Sequence, residues 1–264
     1  MIDVEADPLD ISTLEFDVLW EHYFTDDHPM PLVLKVPSPG KTDDERARIV
    51  RSVWDGLARR GLGSPVDPHP RLTRLLELLR RPDREIDGRL WVGGELRVLA
   101  AATGDDAVLA TLSSGRLTLR PADATGLPRF ALSVLPSAPA GPGQSITLPT
   151  ADFTAAAREA TKQEELAVAL RRRGVRDTDA KALAEMIGDI VNRGQYGSAS
   201  RDKWGRRVRA DRVISFFDTA AGRYLQVVRR VEDGADLWTT ISPADPRRLL
   251  QHLTELHAPR ESRP

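Results

Sequence analysis

Gly194-Gln-Tyr-Gly197, Arg201-Asp-Lys-Trp-Gly-Arg-Arg207, Val213-Ile-Ser-Phe-Phe-Asp218, Gly222-Arg-Tyr-Leu225 and Leu237-Trp-Thr-Thr-Ile-Ser-Pro-Ala-Asp245 mark out the stretch whose reading decides the fold. Short runs rich in Val, Ile, Phe, Tyr and Trp, each ended by Asp or Gly, predict a strand meander. Arg207–Phe217, Arg223–Val231 and Leu237–Ile241 should pair antiparallel, because the loops between them are too short for a parallel crossover. The first turn is Asp218 to Gly222, where Gly222 can take the positive φ such loops need. Glu232 to Asp236 forms the second. The meander then feeds a helix, with Ser242 read as its cap, Pro243 as its first residue and Asp245 at the positive end of its dipole.

Outward from that stretch the same plan is read a second time. Four strands, near 85–92, 96–103, 107–112 and 116–120, are separated by the hairpin signals Gly93-Gly94, Gly104-Asp105-Asp106 and Ser113-Ser114-Gly115. Pro121-Ala-Asp123 closes this first meander as Pro243-Ala-Asp245 closes the later one. The shared placement of that tripeptide, after a strand and before a helix start, points to an internal duplication.

Helices precede each meander. Residues 1–11 read as a loose acidic lead, and Ser12-Thr-Leu-Glu15 has the form of a capping box opening a helix that stops at Asp26-Asp-His-Pro29. Leu32–Val36 reads as a short strand between prolines. Thr42-Asp-Asp-Glu45 opens a second helix ended by Arg60-Gly61, and Pro70 begins a third. Phe130–Leu135 reads as a strand. Pro136 to Gln144 is too rich in Pro and Gly to pack and reads as a linker or exposed loop. Helices are then expected over Ala151–Arg173, broken near Thr161, and over Asp177–Asn192. The last runs over about 244–257, and Pro259 onwards is a polar tail.

The bulk numbers exclude several classes. With 264 residues, 41% of them apolar, the chain can bury a substantial core. A net charge of −1 gives no global field towards nucleic acid or an anionic membrane. No stretch reaches the roughly 18 apolar residues of a membrane span, and the acidic N-terminus lacks the features of a signal peptide, so a cytosolic location is expected. The absence of cysteine rules out disulfides and thiolate chemistry. Five of the 38 basic residues are lysine, an arginine skew that points to a high-GC genome rather than to a function.

No catalytic motif stands out. The sequence has no phosphate-cradling loop, dinucleotide fingerprint, nucleophile elbow or His-Glu-x-x-His. The five histidines are scattered. Glu21, His22, Asp26, Asp27 and His28 lack the tight spacing of metal ligands and read as a solvated helix end, so no cofactor or metal is expected. Arg201, Arg206, Arg207, Arg209 and Arg212, with Trp204 among them, form the one basic run. Such a run could grip phosphates, but the reading preferred is that these arginines protect a sheet edge and pair with Asp202, Asp211 and Asp218. One face of the sheet can remain for a protein partner, where aromatics and arginine provide most of the binding energy.

Taken in order, these pieces resemble the EspG family, the cytosolic substrate-specific chaperones of actinobacterial type VII (ESX) secretion. The resemblance rests on Leu14-Glu-Phe-Asp-Val-Leu-Trp20, the Thr42 to Leu62 helix, the Gly194-Gln-Tyr-Gly197 turn, Arg201-Asp202 with Gly205-Arg206, Asp218 to Tyr224, Trp238-Thr-Thr and Pro243-Ala-Asp245, and spans about 12–257. It implies an α+β fold, a central largely antiparallel sheet flanked by two helical bundles in a pseudo-twofold internal duplication. One domain over 12–258 would comprise halves of about 12–135 and 150–258, joined by a linker at 136–149. The implied function is non-catalytic: binding the helical tip of a PPE-like substrate, possibly within a PE–PPE heterodimer, to keep it soluble for export. The family's partner surface involves the sheet and the C-terminal helical half, and by position Trp204, Arg212, Phe216, Arg223, Val227 and Trp238 are the candidate partner-binding residues. Two departures are visible: Tyr196 in the family's GQFG-like turn, and a short Gly93-Gly94 loop where some relatives carry a long one. The reading from another class is a nucleic-acid-binding or regulatory protein using Arg201 to Arg212.

Overall fold

The computed structural model describes residues 4–24, 28–230 and 236–258. They fall into two compact units, one within 1–89, 95–131 and 199–208, the other within 90–94, 132–198 and 209–264. In the first, β1 (Leu9–Ser12) leads into three helices, α1 (Thr13–Tyr23), α2 (Asp43–Arg59) and α3 (Pro70–Arg80). The meander β2 (Arg84–Trp91), β3 (Glu95–Thr103), β4 (Asp106–Ser113) and β5 (Arg116–Asp123) follows, then α4 (Leu127–Leu132). Strand order is β1-β5-β4-β3-β2. The helices bury Phe16, Trp20, Trp54, Leu57, Leu72 and Leu75 against Leu99, Ala101, Val108, Leu117 and Leu119 of the strands.

The four strands of this meander are where the sequence places them. Gly104-Asp105 and Ser114-Gly115 are the two-residue turns, since Thr103 pairs with Asp106 and Ser113 with Arg116. Ser114 and Gly115 both have positive φ, at 48° and 76°, as a type I′ turn demands. The box at Ser12 is complete: Ser12 Oγ accepts from Glu15 N–H at 3.1 Å, and Glu15 Oε2 accepts from Ser12 N–H at 2.7 Å. The box at Thr42 is only half formed. Thr42 Oγ1 accepts from Glu45 N–H at 3.2 Å, while the Glu45 carboxylate turns to Lys41 N–H at 2.9 Å. At the other end of α2, Leu62 N–H reaches back to Leu57 C=O across Gly61, the glycine-terminated end expected.

Three expectations fail here. The acidic lead contains β1, whose Ile11 is fully buried and whose four residues pair antiparallel with Leu119 to Arg116 of β5. Leu32–Val36 is not a strand, because Leu34 N–H closes a turn onto Pro31 C=O and sends Val33, Leu34 and Val36 into the core. Phe130–Leu135 is not a strand either. Asp123 caps a 3-10 turn at Ala124–Gly126 that runs directly into α4, with Pro128 tolerated in its first turn. The expected stop of α1 at 26–29 lies partly outside the described residues, and the helix ends at Tyr23 with Phe24 N–H bonded to Trp20 C=O.

The second unit repeats the plan. β6 (Ile146–Pro149) leads into α5 (Thr150–Glu159), α6 (Gln163–Arg172) and α7 (Asp177–Met186). Then come β7 (Ile190–Arg201) and β8 (Arg207–Arg209), of which residues 199–208 fall in the first unit, and β9 (Ile214–Thr219), β10 (Gly222–Arg230), β11 (Leu237–Pro243) and α8 (Pro246–His257). Its strand order is β7-β9-β10-β11-β6, with β8 paired to β7 off that path. In both units a four-residue strand precedes three helices and then pairs antiparallel with the last strand of the meander, β1 with β5 and β6 with β11. That match of connectivity, with antiparallel sheets and helices segregated in the chain, is an α+β fold built twice.

The repeated Pro-Ala-Asp does the same work in each half. Pro121 and Pro243 are late strand residues, Ala122 and Ala244 are buried, and Asp123 and Asp245 accept from Thr125 N–H and Arg248 N–H at 2.7 Å each. The cap of α8 is therefore Asp245, with Pro246 at the first helical position, and not Ser242 and Pro243 as expected. Asp245→Ala should lower stability by about 1 kcal/mol in urea melts. Asp123→Ala should cost less, because the turn it caps is three residues long.

Two further corrections shape the site. The helix expected over Asp177–Asn192 ends at Met186, and 190–201 is the first strand of the second meander, so Gly194-Gln-Tyr-Gly197 lies inside a strand rather than in a turn. The break near Thr161 is present, between Glu159 and Gln163. Residues 136–144 are largely exposed, as a loop should be, yet they do not hang free. Arg223 N–H donates to Pro139 C=O at 2.8 Å, Gly141 N–H to Arg223 C=O at 3.1 Å, and Tyr224 Oη–H to Pro142 C=O at 3.1 Å. This strap runs beside β10, with Ala140 and Arg223 forming a parallel bridge. The turn expected at 232–236 and the tail from 259 lie outside the described residues, save Asp236.

Candidate partner-binding site

The alternation of side chains in the second meander sorts the candidates. Phe217 and Tyr224 point to the helices α5 to α7 and join the cluster of Leu148, Leu170, Leu183 and Ile241. Their neighbours Phe216 and Leu225, paired with each other across β9 and β10, therefore point to the opposite face. That face is not open. Phe216 is 2% exposed and Val227 5%. The unit's own C-terminal helix α8 packs against β9, and Ser198 Oγ bonds His257 Nδ1 at 2.9 Å. α8 buries Leu249, Leu253 and Leu256, the face its 3.6-residue period predicts. In the second unit, then, this face is covered at Phe216 and Val227.

Arg223 is deeper still. It is 2% exposed and forms a two-point ion pair with Asp218, itself 3% exposed, at 2.6 and 2.9 Å. A further hydrogen bond runs to Pro136 C=O at 3.0 Å, and the guanidinium sits 5.2 Å from the centre of the Phe216 ring. Asn192 Nδ2 donates at 3.1 Å to Asp218 Oδ2, the oxygen that also accepts from Arg223 Nη2. Tyr196 is fully buried and stacks on Phe216 at 6.3 Å, and burial pushes its hydroxyl well above the ordinary tyrosine range. Phe216, Arg223 and Val227 are thus buried side chains, packed between or beneath the strands rather than displayed on them.

Arg212 and Trp238 lie differently. Trp238 is 36% exposed and pairs with Arg229 across β10 and β11. Arg212 lies two residues before Ile214, the first residue of β9, and Arg229 two residues beyond Val227, the β10 partner of Ile214. The two arginines and Trp238 share the face of Phe216 and Val227, at the end of the sheet where that face runs out into solvent. Arg229 was not singled out in the sequence; its position follows from register, which a single strand's pattern does not reveal.

Trp204 belongs to the first unit, 67% exposed at the tip of the turn Asp202–Gly205. Lys203 and Arg206 stack on its ring at 4.5 and 4.6 Å. The arginines around it are engaged by the protein. Arg206 pairs with Asp202 at 2.8 Å, Arg207 with Glu85, and Arg201 donates to Pro82 C=O and Gly205 C=O at 3.0 and 2.8 Å. Of the expected carboxylate partners, Asp202 does pair with the run, while Asp218 pairs with Arg223 instead. Among the described residues no group of acidic and histidine side chains is placed to hold a metal ion, and no helix is long and apolar enough to cross a membrane.

A model of the EspG family matches residues 12–255. The ESX-1 secretion-associated protein EspG1 of Mycobacterium tuberculosis is 25% identical over 236 residues, covering 87% of this chain and 79% of that protein. Its counterpart in Mycobacterium marinum is 25% identical over 214 residues, covering 77% and 73%. Among solved structures, the Mycobacterium tuberculosis type VII secretion system chaperone EspG5, in complex with the PE25–PPE41 dimer, superposes with a TM-score of 0.70 at 17% identity, covering 96% of this chain and 98% of that one. The fold is shared across that distance.

Proposed function

We propose that this chain, which belongs to the EspG family, is a cytosolic type VII secretion chaperone that binds the helical tip of a PPE-like substrate and keeps it soluble for export. The observation that carries the reading is the family match over residues 12–255, which takes in both helical bundles and both meanders. The fold shared with EspG5, a chaperone solved with a PE–PPE dimer, supports it. The role is non-catalytic: an exposed apolar helix tip aggregates, and covering it removes that surface from water. Both units act as one domain over 12–258, the second supplying the surface. There, Trp238 is the apolar anchor with Arg212 beside it, and Phe216, Arg223 and Val227 fix the strands beneath.

Co-expression with each PPE-like protein of the source genome, followed by size exclusion at high salt, tests this. A stable complex with one of them is expected, and failure of every candidate would overturn the reading. Trp238→Asp should abolish that complex while moving the melting temperature little, because surface substitutions of this kind usually change stability by less than about 0.5 kcal/mol. Phe216→Asp should instead unfold the protein, since it buries a charge between Tyr196 and Arg223.

A further inference from the structure

Around Arg212 and Arg229 the second unit gathers positive charge, and among the described residues no carboxylate forms an ion pair with Arg212, Arg229 or Arg248. Asp245 begins α8 so that Arg248 falls in its first turn and His252 one turn later, on the same side of the helix. α8 packs against β9, and the charges felt by the His252 imidazole are those of Glu255, Arg248, Arg229 on β10 and Arg212 just ahead of β9. Against three arginines stands Glu255, 3.8 Å from His252 and half exposed. Burial and the arginines hold His252 below its ordinary range, so its ring is neutral near pH 7 and adds no compensation. Like charges this close repel, and a net charge of −1 for the whole chain shows that the concentration is local, not a general basicity.

We propose that Arg212, Arg229 and Arg248, beside Trp238, form a receptor for two acidic side chains one helical turn apart on the partner's helical tip. The proposal rests on the chaperone reading and specifies its chemistry. Neighbouring strands lie about 4.8 Å apart, so Arg212, two residues ahead of the Ile214–Val227 pair, and Arg229, two residues beyond it, present their forks at about the spacing of carboxylates at positions i and i+4 of a helix. Arginine binds carboxylate through two parallel hydrogen bonds, which fixes orientation as well as adding energy. Trp238, adjacent to Arg229, would take the apolar residue between them. The acidic pair relieves the repulsion stored in the free chaperone, and it sets which substrate tips are accepted.

The test uses the PPE-like protein captured on co-expression, with affinity and association rate read by surface plasmon resonance. Arg212→Glu with Arg229→Glu should lower affinity by more than about tenfold, mostly through slower association, and Arg248→Glu should add to the loss. Changing the acidic residues of the partner's tip to arginine should restore binding to the doubly reversed chaperone and abolish it with the wild type. Unchanged affinity in the double variant, with its melting temperature intact, would overturn the acidic receptor while leaving the chaperone reading in place. Failure of the wild type to capture any PPE-like protein would remove both. Competition by a single-stranded oligonucleotide, lost in the double variant, would assign the cluster to nucleic acid instead and overturn the proposal.

Discussion

Asp218→Ala is expected to cost about 3–5 kcal/mol, a loss large enough to leave the second unit marginal or unfolded at room temperature. The reason is asymmetry. Arg223 and Asp218 are both almost fully buried and bonded at two points, and Pro136 C=O, Asn192 and the Phe216 ring satisfy what remains of them. Removing the carboxylate leaves a guanidinium in the interior with no counter-charge, and that penalty exceeds the worth of the pair itself. Arg223→Ala should be similarly damaging. Asp218→Leu combined with Arg223→Met should be milder than either single change, because both charges leave together. The double variant also decides what Arg223 does. If it only braces β10, partner capture returns with stability; if it touches the partner, capture stays lost in a well-folded protein. Guanidinium melts and pull-downs on the three variants make the distinction.

How far the fold could be read follows from which elements carry their own signal. The first meander was legible because two-residue turns such as Ser114-Gly115 demand particular residues, and the strands between them are apolar enough to be buried on both faces, Val98 to Ala102 in unbroken series. β1 and β6 were not, since four residues are too few to show a period and each exists only by pairing with β5 or β11. β7 was misread for a related reason. Ile187, Ile190 and Val191 continue a helical spacing past Met186, and the pairing of Ile190 with Thr219 overrides it. At the candidate site, residue type singled out Arg212, Trp238, Phe216 and Val227 together but could not tell the exposed from the buried. Exposure there depends on where α8 lies over the strands, and only the three-dimensional arrangement supplies that. The arginine run at 201–209 shows the converse: a suggestive string of charges two of whose partners, Glu85 and the Pro82 carbonyl, are over a hundred residues away.

Gly222→Ala should destabilise the second unit by about 2–6 kcal/mol, from two sources that can be separated. Gly222 has φ +136°, a conformation L side chains rarely adopt, and a Cβ there would lie 2.6 Å from Gly141 N and 2.7 Å from Gly141 Cα. Strain of this sort costs about 1–3 kcal/mol, and overpacking about 1–3 kcal/mol more. Gly104→Ala isolates the first source, because Gly104 also has positive φ, +57°, but opens onto free space. Gly141→Ala isolates the second. Its φ is not in the positive region, yet its Cβ would meet the Tyr224 ring at 2.2 Å, and that ring cannot swing aside without leaving Phe217, stacked at 5.2 Å, and the Pro142 carbonyl. Thermal melts of the three variants should therefore rank Gly222→Ala as most damaging, with Gly141→Ala still clearly destabilised. If Gly141→Ala melted like the parent, the strap would be free to lift from β10. Residues 136–144 would then be the slack connection their Pro and Gly content suggests. If it melts early, the strap is part of the second unit's packing, and the glycines at 141 and 222 are there because two backbones meet with no room for a side chain.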